Sequence, residues 1–283
     1  MRVTVVTISF NQARYLSRAM TSVLSQDYPD IEYIVVDPGS TDGSREIIAA
    51  SAQRLAQVVL EPDGGPAEGL NNGFKLATGD VFAYINADDA LLPGAVGEAV
   101  GYLTTHSDVD VVYGDGYLID ADGRVIRPIE SSPFNIRRFV FGGVTVLQQA
   151  TFVRRRAFQR VGGFNQANRT CWDGELLVDI AMAGGTLRHL QKMWGAFAIY
   201  PDTITGSRRL REQRVMDRRR LFRRVRRREW RGSDHLVSSI VRVEKWLISP
   251  GSTLRRFRAA VSGRPSIRLT EDDNKRIVLI GDR

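Results

Sequence analysis

The stretch GDVFAYINADDALLP, Gly79 to Pro93, joins a strand and two acids within fifteen residues. Val81-Phe82-Ala83-Tyr84-Ile85 is a short apolar run rich in β-formers, so it reads as a buried strand. Asn86-Ala87-Asp88-Asp89 follows at once, and Pro93 opens a helix. Two adjacent carboxylates at the carboxyl end of a buried strand stand where open α/β sheets bind their ligands. An unpaired buried charge is too unfavourable to persist, so a divalent cation, a basic group or water must compensate them. The competing reading is that Asp88 or Asp89 caps the Pro93 helix.

Upstream, three strand–helix units lead into this one. Val3 to Ser9 reads as a first strand, and Asn11 or Gln12 opens a helix with Leu16, Ala19, Met20, Val23 and Leu24 at helical spacing. Ile31 to Val36 is a second strand, running into the turn and cap residues Asp37-Pro38-Gly39-Ser40-Thr41-Asp42-Gly43-Ser44. Gln57 to Leu60 is a third, followed by the Pro62–Pro66 loop and a Glu68–Ala77 helix. Four alternations predict a parallel, doubly wound sheet. Downstream the rhythm changes. A helix over Pro93–Thr105 precedes a strand at Val109–Tyr113 and a hairpin of Tyr117–Ile119 with Val125–Pro128. Further expected elements are a helix at Phe134–Phe141, a strand at Leu147–Val153, helices at Arg154–Val161 and Trp172–Ala183, and one or two strands in Thr186–Tyr200.

The composition bounds the function. A chain of 283 residues with 43% hydrophobic and 25% charged residues is ordinary for a globular protein. Cys171 stands alone, which excludes an internal disulfide framework and fits a reducing compartment. With only His106, His189 and His235 beside it, a zinc site is disfavoured. The opening MRVTVVTISF lacks the pattern of a signal peptide, and no apolar run reaches the ~20 residues that span a bilayer. A cytoplasmic location is expected, peripheral on the inner face of the cell membrane if the basic segment docks there. That segment, Arg208 to Arg231, holds 13 arginines against Glu212, Asp217 and Glu229, so it accounts for the net charge of +8.

Asp37 ends the second strand and Asp88-Asp89 the fourth, and in a parallel sheet these ends share one edge with Thr7-Ile8-Ser9-Phe10-Asn11. Carboxylates, small hydroxyls and helix N-termini there suit a nucleotide and a hard cation, Mg²⁺ or Mn²⁺. No GxxxxGK[ST] loop is present, and the first turn, SFNQAR, carries no GxGxxG, which disfavours a Walker-type NTPase and a dinucleotide oxidoreductase. The competing reading of Asp37 to Gly43 is a plain turn with a helix cap.

VTISFNQARYLSRAMTSVLSQDYPDIEYIVVDPGSTDGS resembles the opening of family 2 glycosyltransferases with the GT-A fold. GPAEGLNNGFKLATGDVFAYINADD resembles their next block, with Asn71 and Gly73 matching Asn-x-Gly. QQATFVRRRAFQRVGGF and TCWDGELLVDIAMAGG resemble the acceptor-side half. The likeness covers about residues 1–200. It implies an α/β GT-A nucleotide-diphospho-sugar transferase fold, a mainly parallel central sheet flanked by helices, over residues 1–205. Residues 1–105 would form the nucleotide-sugar-binding half, 106–205 the acceptor half, and 206–283 a basic, mostly helical extension.

The resemblance also implies roles. Ser9, Phe10 and Asn11 would line the base pocket, and Asp37 would hydrogen-bond the nucleobase. Glu68, Asn71, Asn86, Ala87, Asp88 and Asp89 would lie along the donor. Asp88 matches the last acid of the DxD metal motif, while Asn86 stands in place of the first, which removes one formal charge. Asp173 matches the catalytic base of inverting members, with Trp172 replacing the usual preceding acid; its competing role is to complement the helix dipole, worth up to ~1 kcal/mol.

These residues imply an inverting, metal-dependent hexosyltransferase. It would move a sugar from a nucleoside diphosphate sugar, most simply a UDP-sugar, to a glycan or lipid-linked glycan in bacterial cell-surface polysaccharide assembly. The alternatives are transfer to a polyprenyl phosphate, or a catalytically silent nucleotide-sugar-binding protein. The arginine run offers counterions to nucleic acid, but it lacks interleaved stacking aromatics beyond Phe222 and Trp230, so no nucleic-acid partner is expected. Anionic lipid fits better, at ~1 kcal/mol per basic residue near the surface. His235–Leu247 is the candidate interfacial helix behind it, and packing of the basic segment on the domain is the competing reading.

Overall fold

The computed structural model describes residues 1–203, 207, 209–248, 267–271 and 277–281. In chain order the first units are β1 (Val3–Ile8), α1 (Ala13–Leu24), β2 (Ile31–Val36), α2 (Ser44–Ala50), β3 (Gln57–Val59), α3 (Pro66–Lys75), β4 (Val81–Asn86), β5 (Ala90–Leu91) and α4 (Ala95–Thr105). They are followed by β6 (Val111–Ile119), β7 (Val125–Ile129), α5 (Ile136–Val140), β8 (Thr151–Arg154), α6 (Arg155–Arg160), α7 (Trp172–Met182) and β9 (Leu187–Ala198). α8 (Arg211–Arg226), α9 (Ser233–Ile248), β10 (Ile267–Glu271) and β11 (Ile277–Gly281) complete the described chain.

The strands run β3-β2-β1-β4-β8-β6-β9-β5, with β7 also on β6. In the N-terminal half β3, β2, β1 and β4 are parallel, as the alternation predicts. Beyond β4 the sheet is mixed: β8 inserts antiparallel between β4 and β6, while β9 lies parallel to β6. Two expected elements differ. Residues 148–150 form a 3₁₀ turn before β8 rather than more strand, and β6 is one strand of nine residues instead of two short pieces.

β1 shows why the sequence folds this way. Val3 and Val5 face one apolar layer, with Leu16, Met20 and Val23 of α1, while Val6 faces the other, with Leu70 and Phe74 of α3. A strand covered on both faces needs an almost continuous apolar run, and VTVVTI supplies it. Its threonines find internal partners: the Thr7 hydroxyl pairs with Tyr33 Oη at 2.8 Å, and Thr4 Oγ1 donates to Glu32. α3 lies close on the sheet because of Gly73. A Cβ there would sit 2.8 Å from Val6 Cγ1 and 3.1 Å from Val36 Cγ2.

The basic extension packs on the domain. Phe222 of α8 and Val241 of α9 bury against Phe141, and Ser238 Oγ donates to the Phe141 carbonyl at 2.8 Å. β10 and β11 form an antiparallel pair where helix was expected; the Leu269 N–H donates to the Gly123 carbonyl at 2.9 Å. Arg208, the first arginine of the basic run, lies outside the described residues. No described helix is long and apolar enough to cross a membrane.

Candidate active site

Register sets the site. Ile8 is level with Val36 on one side and Asn86 on the other, so Ser9, Asp37 and Ala87 leave the sheet together. Backbone bonds fix these exits: Ser9 N–H to Val36 O at 2.9 Å, Ala87 N–H to Ile8 O at 3.1 Å, and Asp37 N–H to Val59 O at 2.8 Å.

Asp37 is completely buried. Its Oδ1 accepts from the Gly39 and Ser40 N–H groups and from Arg45 Nε, at 3.1, 2.8 and 3.3 Å. Burial works to raise its pKa, but the bonds from Ser40, Gly39 and Arg45 outweigh it and hold the carboxyl below its ordinary range. Oδ2 has no partner within the protein, and neither does the buried Ser9 hydroxyl on the next strand end. Unmet buried polar atoms are rare and point to a ligand or water. Phe10 stands beside them, 59% exposed. Asn11 has left-handed backbone (φ 52°) and ties the first loop to the second: its N–H donates to Ser40 Oγ and its Oδ1 accepts from the Thr41 N–H. The Asp37–Ser44 run is therefore a turn that also holds the first loop in place. Asp42 supplies the cap chemistry, its Oδ1 accepting from Ser44 N–H and Oγ–H.

The two carboxylates after β4 have unlike surroundings. Asp89 is fully buried and saturated: Oδ2 accepts from Asn86 Nδ2 at 2.8 Å and Gln149 Nε2 at 2.6 Å, and Oδ1 from the Ala198 N–H at 2.9 Å. Asp88 receives one hydroxyl, Tyr200 Oη at 2.9 Å, while Arg18 donates to its backbone carbonyl at 3.2 Å. Burial raises the pKa of both, and Asp88 raises that of Asp89 further. Part of the compensation that the pair demands is the half-buried Arg18 guanidinium, a basic group, whose own pKa desolvation lowers. Neither acid caps the following helix; α4 starts at Ala95 behind Gly94, whose φ is 79°.

Other expected site residues are engaged by nearby backbone. Glu68 Oε2 accepts from the Gly64 N–H at 2.7 Å. Asn71 clamps the Phe164 backbone at both ends, donating to its carbonyl at 2.8 Å and accepting from its N–H at 2.9 Å. Both ends of that amide are thus engaged by the 163–170 loop, which Arg169 links onward to the Gly64 carbonyl. Asp63 joins Glu68 and Asp37 as a third acid, its pKa raised first by burial and then by those neighbours.

Asp173 lies in the first turn of α7, half-buried, on the wall of an apolar pocket of about 150 Å³. Burial raises its pKa against the bonds from Gly174 N–H and its own N–H. Tyr84, on the same wall, feels the charges of both Asp173 and Asp89. That ring therefore lies within electrostatic reach of both α7 and the end of β4. The Trp172 indole N–H, close to Tyr84, is buried without an acceptor in hydrogen-bonding geometry.

Sequence reading missed Arg18, Tyr200, Gln149 and Asp63. Gln149 sits in the quoted QQAT block, which was a signal; Tyr200 lies 112 residues from Asp88 and gave none. Among the described residues no group of three or more His, Cys, Asp or Glu side chains could hold a metal.

The Glycosyl transferase family 2 model matches residues 4–162, more than half of the chain. The protein belongs to glycosyltransferase family 2. An uncharacterised glycosyltransferase of Nostoc sp. is 37% identical over 129 residues, covering 44% of this chain and 40% of that relative's length. S. aureus TarS 1-349 in complex with UDP-GlcNAc superposes with a TM-score of 0.65 at 16% identity, over 87% of this chain and 71% of that one. The mannosyltransferase PcManGT from Pyrobaculum calidifontis, in complex with GDP-Man and Mn2+, gives 0.61 at 22% identity, over 93% and 76%. The family 2 chain thus has the GT-A transferase fold, a mixed α/β sheet flanked by helices.

Proposed function

We propose that this glycosyltransferase takes a sugar from a nucleoside diphosphate donor and passes it, with inversion, to an acceptor hydroxyl, Asp173 removing the proton. The observation that carries this is the position of Asp173. It is a half-buried carboxylate of raised pKa, on a helix start, facing an apolar pocket that Tyr84 also lines, two residues before Asn86 ends β4. A carboxylate within reach of an acceptor hydroxyl takes its proton as the new bond forms, an effect of about 10²–10⁴-fold. Attack from the side opposite the diphosphate inverts the anomeric carbon.

On the donor side, Asp37 Oδ2 and Ser9 Oγ are the unmet atoms for a nucleobase edge, and Phe10 offers a ring face. A UDP-sugar remains the simplest donor. A divalent cation, Mg²⁺ or Mn²⁺, fits as a guest shared with the substrate. Asp88 would hold it, Asn86 offers only a carbonyl oxygen beside it, and Asp89 is saturated. Such a cation would neutralise the leaving diphosphate.

Asp173→Asn is the test. Release of nucleoside diphosphate on transfer should fall by about 10²-fold or more, the size of a general-base effect, with donor affinity changed less than about twofold. Full activity in that variant rejects Asp173 as base, and a retained anomeric configuration in the product, read by NMR, rejects inversion.

A further inference from the structure

The pocket at Asp173 has walls that a sugar could not satisfy. The buried Phe74, Phe82, Phe158 and Phe164 line it, with the half-buried Phe139 and Val146 as its more accessible rim. Its other polar side chains are largely taken up by the protein. Thr151 Oγ1 donates to the Leu147 carbonyl at 2.8 Å, and Gln148 Nε2 to the Tyr84 carbonyl at 2.6 Å. The Cys171 thiol already accepts from Asn168. What the pocket turns toward a guest is therefore the Asp173 carboxylate, with the Tyr84 hydroxyl near it. A pyranose placed here would bury several hydroxyls unpaired, at roughly 1–3 kcal/mol each.

Size and shape narrow the guest. A pocket of ~150 Å³ has room for a benzene-sized molecule. Rings already meet edge to face around this space, Phe82 with Phe158 at 5.4 Å and Tyr84 with Phe164 at 5.4 Å, the geometry that a further aromatic ring extends.

We infer that the acceptor carries its reacting hydroxyl on an aromatic ring, which this pocket holds with the hydroxyl against Asp173. The inference rests on the transferase reading, and it narrows the acceptor away from the glycan that family resemblance implies. The step balances: the phenolic O–H proton passes to an Asp173 oxygen. The phenolic oxygen bonds to the anomeric carbon, and the bond from that carbon to the diphosphate breaks, its electron pair leaving with the nucleoside diphosphate.

The experiment has a binding arm and a transfer arm. Binding of 4-methylphenol is followed by ligand-observed NMR and titration calorimetry, with 1-octanol and methyl α-D-glucopyranoside as the apolar and sugar comparisons. Wild type should bind 4-methylphenol at least tenfold more tightly than either. Val146→Trp, a substitution at the half-buried rim, should weaken that binding at least tenfold. Phe139→Ala, which opens the rim, should move the preference toward bulkier phenols. In the transfer arm the same three compounds are offered with a panel of nucleotide sugars and Mn²⁺, and the glycosylated phenol is sought by mass. Absence of 4-methylphenol binding to wild type overturns the inference, as does equal affinity in Val146→Trp or a preference for octanol or the glucoside. If the phenol binds at the pocket while no donor is consumed under any condition, the transferase reading falls and the aromatic site stands. If donor is consumed with the glucoside but not the phenol, the reverse holds.

Discussion

At the scale of single residues, environment separates acids that look alike. Asp173 is pushed up by burial, so the acidic limb of kcat/KM should lie above the ordinary aspartate value of about 3.9. The same shift has a consequence for stability. The folded state holds the Asp173 proton more tightly than the unfolded state, so this contribution is full below the unfolded pKa and is lost as pH rises through the folded one. Asp173→Asn cannot ionise, so it should melt at a higher temperature than wild type at pH 7, and the gap should close toward pH 3. An equal or lower melting temperature at pH 7 would contradict the burial of this group. Asp89 should behave as a structural residue. Asp89→Ala leaves the donors of Asn86, Gln149 and Ala198 unmet. It should lower the urea-derived stability by roughly 2–4 kcal/mol, since each unsatisfied buried group costs about 1–3 kcal/mol without strict additivity.

At the scale of elements, α8 takes up the competing reading of the basic segment, packing on the domain. Its arginines suggested a separate attachment segment, yet Arg220 and Arg224 turn inward onto Glu175, which is 1% exposed, and Arg224 also reaches Asp179. Asp217, on the same helix, accepts from the Arg169 N–H at 3.2 Å and from Thr170 Oγ1 at 2.7 Å. α8 therefore braces both α7, which carries Asp173, and the loop that Asn71 clamps. Removing Glu175 takes a partner from two arginines that are about a third exposed, leaving Arg224 on Asp179 and Arg220 near Asp217, so part of the loss is offset and solvent screens the rest. Glu175→Ala should loosen α8 without unfolding the sheet. The readout is trypsin, which should cut within 211–228 at least tenfold faster than in wild type while cleavage in β1 to β4 stays slow. Unchanged cleavage would mean that the apolar contacts of Phe222 alone hold the helix.

At the scale of the whole molecule, the charge left for a partner is smaller than the composition suggests. Arg226 and Arg228 lie over the Phe141 and Phe222 rings, and Arg228 also pairs with Asp234, whereas Arg211, Arg218, Arg219 and Arg227 are exposed. Behind them, α9 turns Leu236, Ile240 and Val243 outward. Exposed basic side chains beside an outward apolar stripe fit an anionic bilayer surface, at about 1 kcal/mol per basic residue near it. The intact chain should therefore sediment with phosphatidylserine vesicles at low salt, not with phosphatidylcholine alone, and release as the Debye length falls to about 3 Å near 1 M salt. Leu236→Ser with Ile240→Ser should weaken sedimentation severalfold; equal binding by that variant would remove α9 from the surface.

Local sequence determined the parallel half of the sheet. Apolar runs of strand length, cap chemistry and glycine at a close approach act within a few residues, so β1 to β4 and the edge where Ser9, Asp37 and Asp88 emerge were readable. The family blocks pointed beyond them to Asp173, at the start of α7. What only the tertiary structure decided is how each polar group is used. Asp89 is saturated by Gln149 and Ala198, 60 and 109 residues away, and Asn71 is engaged by Phe164, 93 residues away. Glu175 receives α8 from 45 residues away. Hydrogen-bond partners and desolvation are properties of the folded neighbourhood, so two aspartates side by side in the chain came to different work.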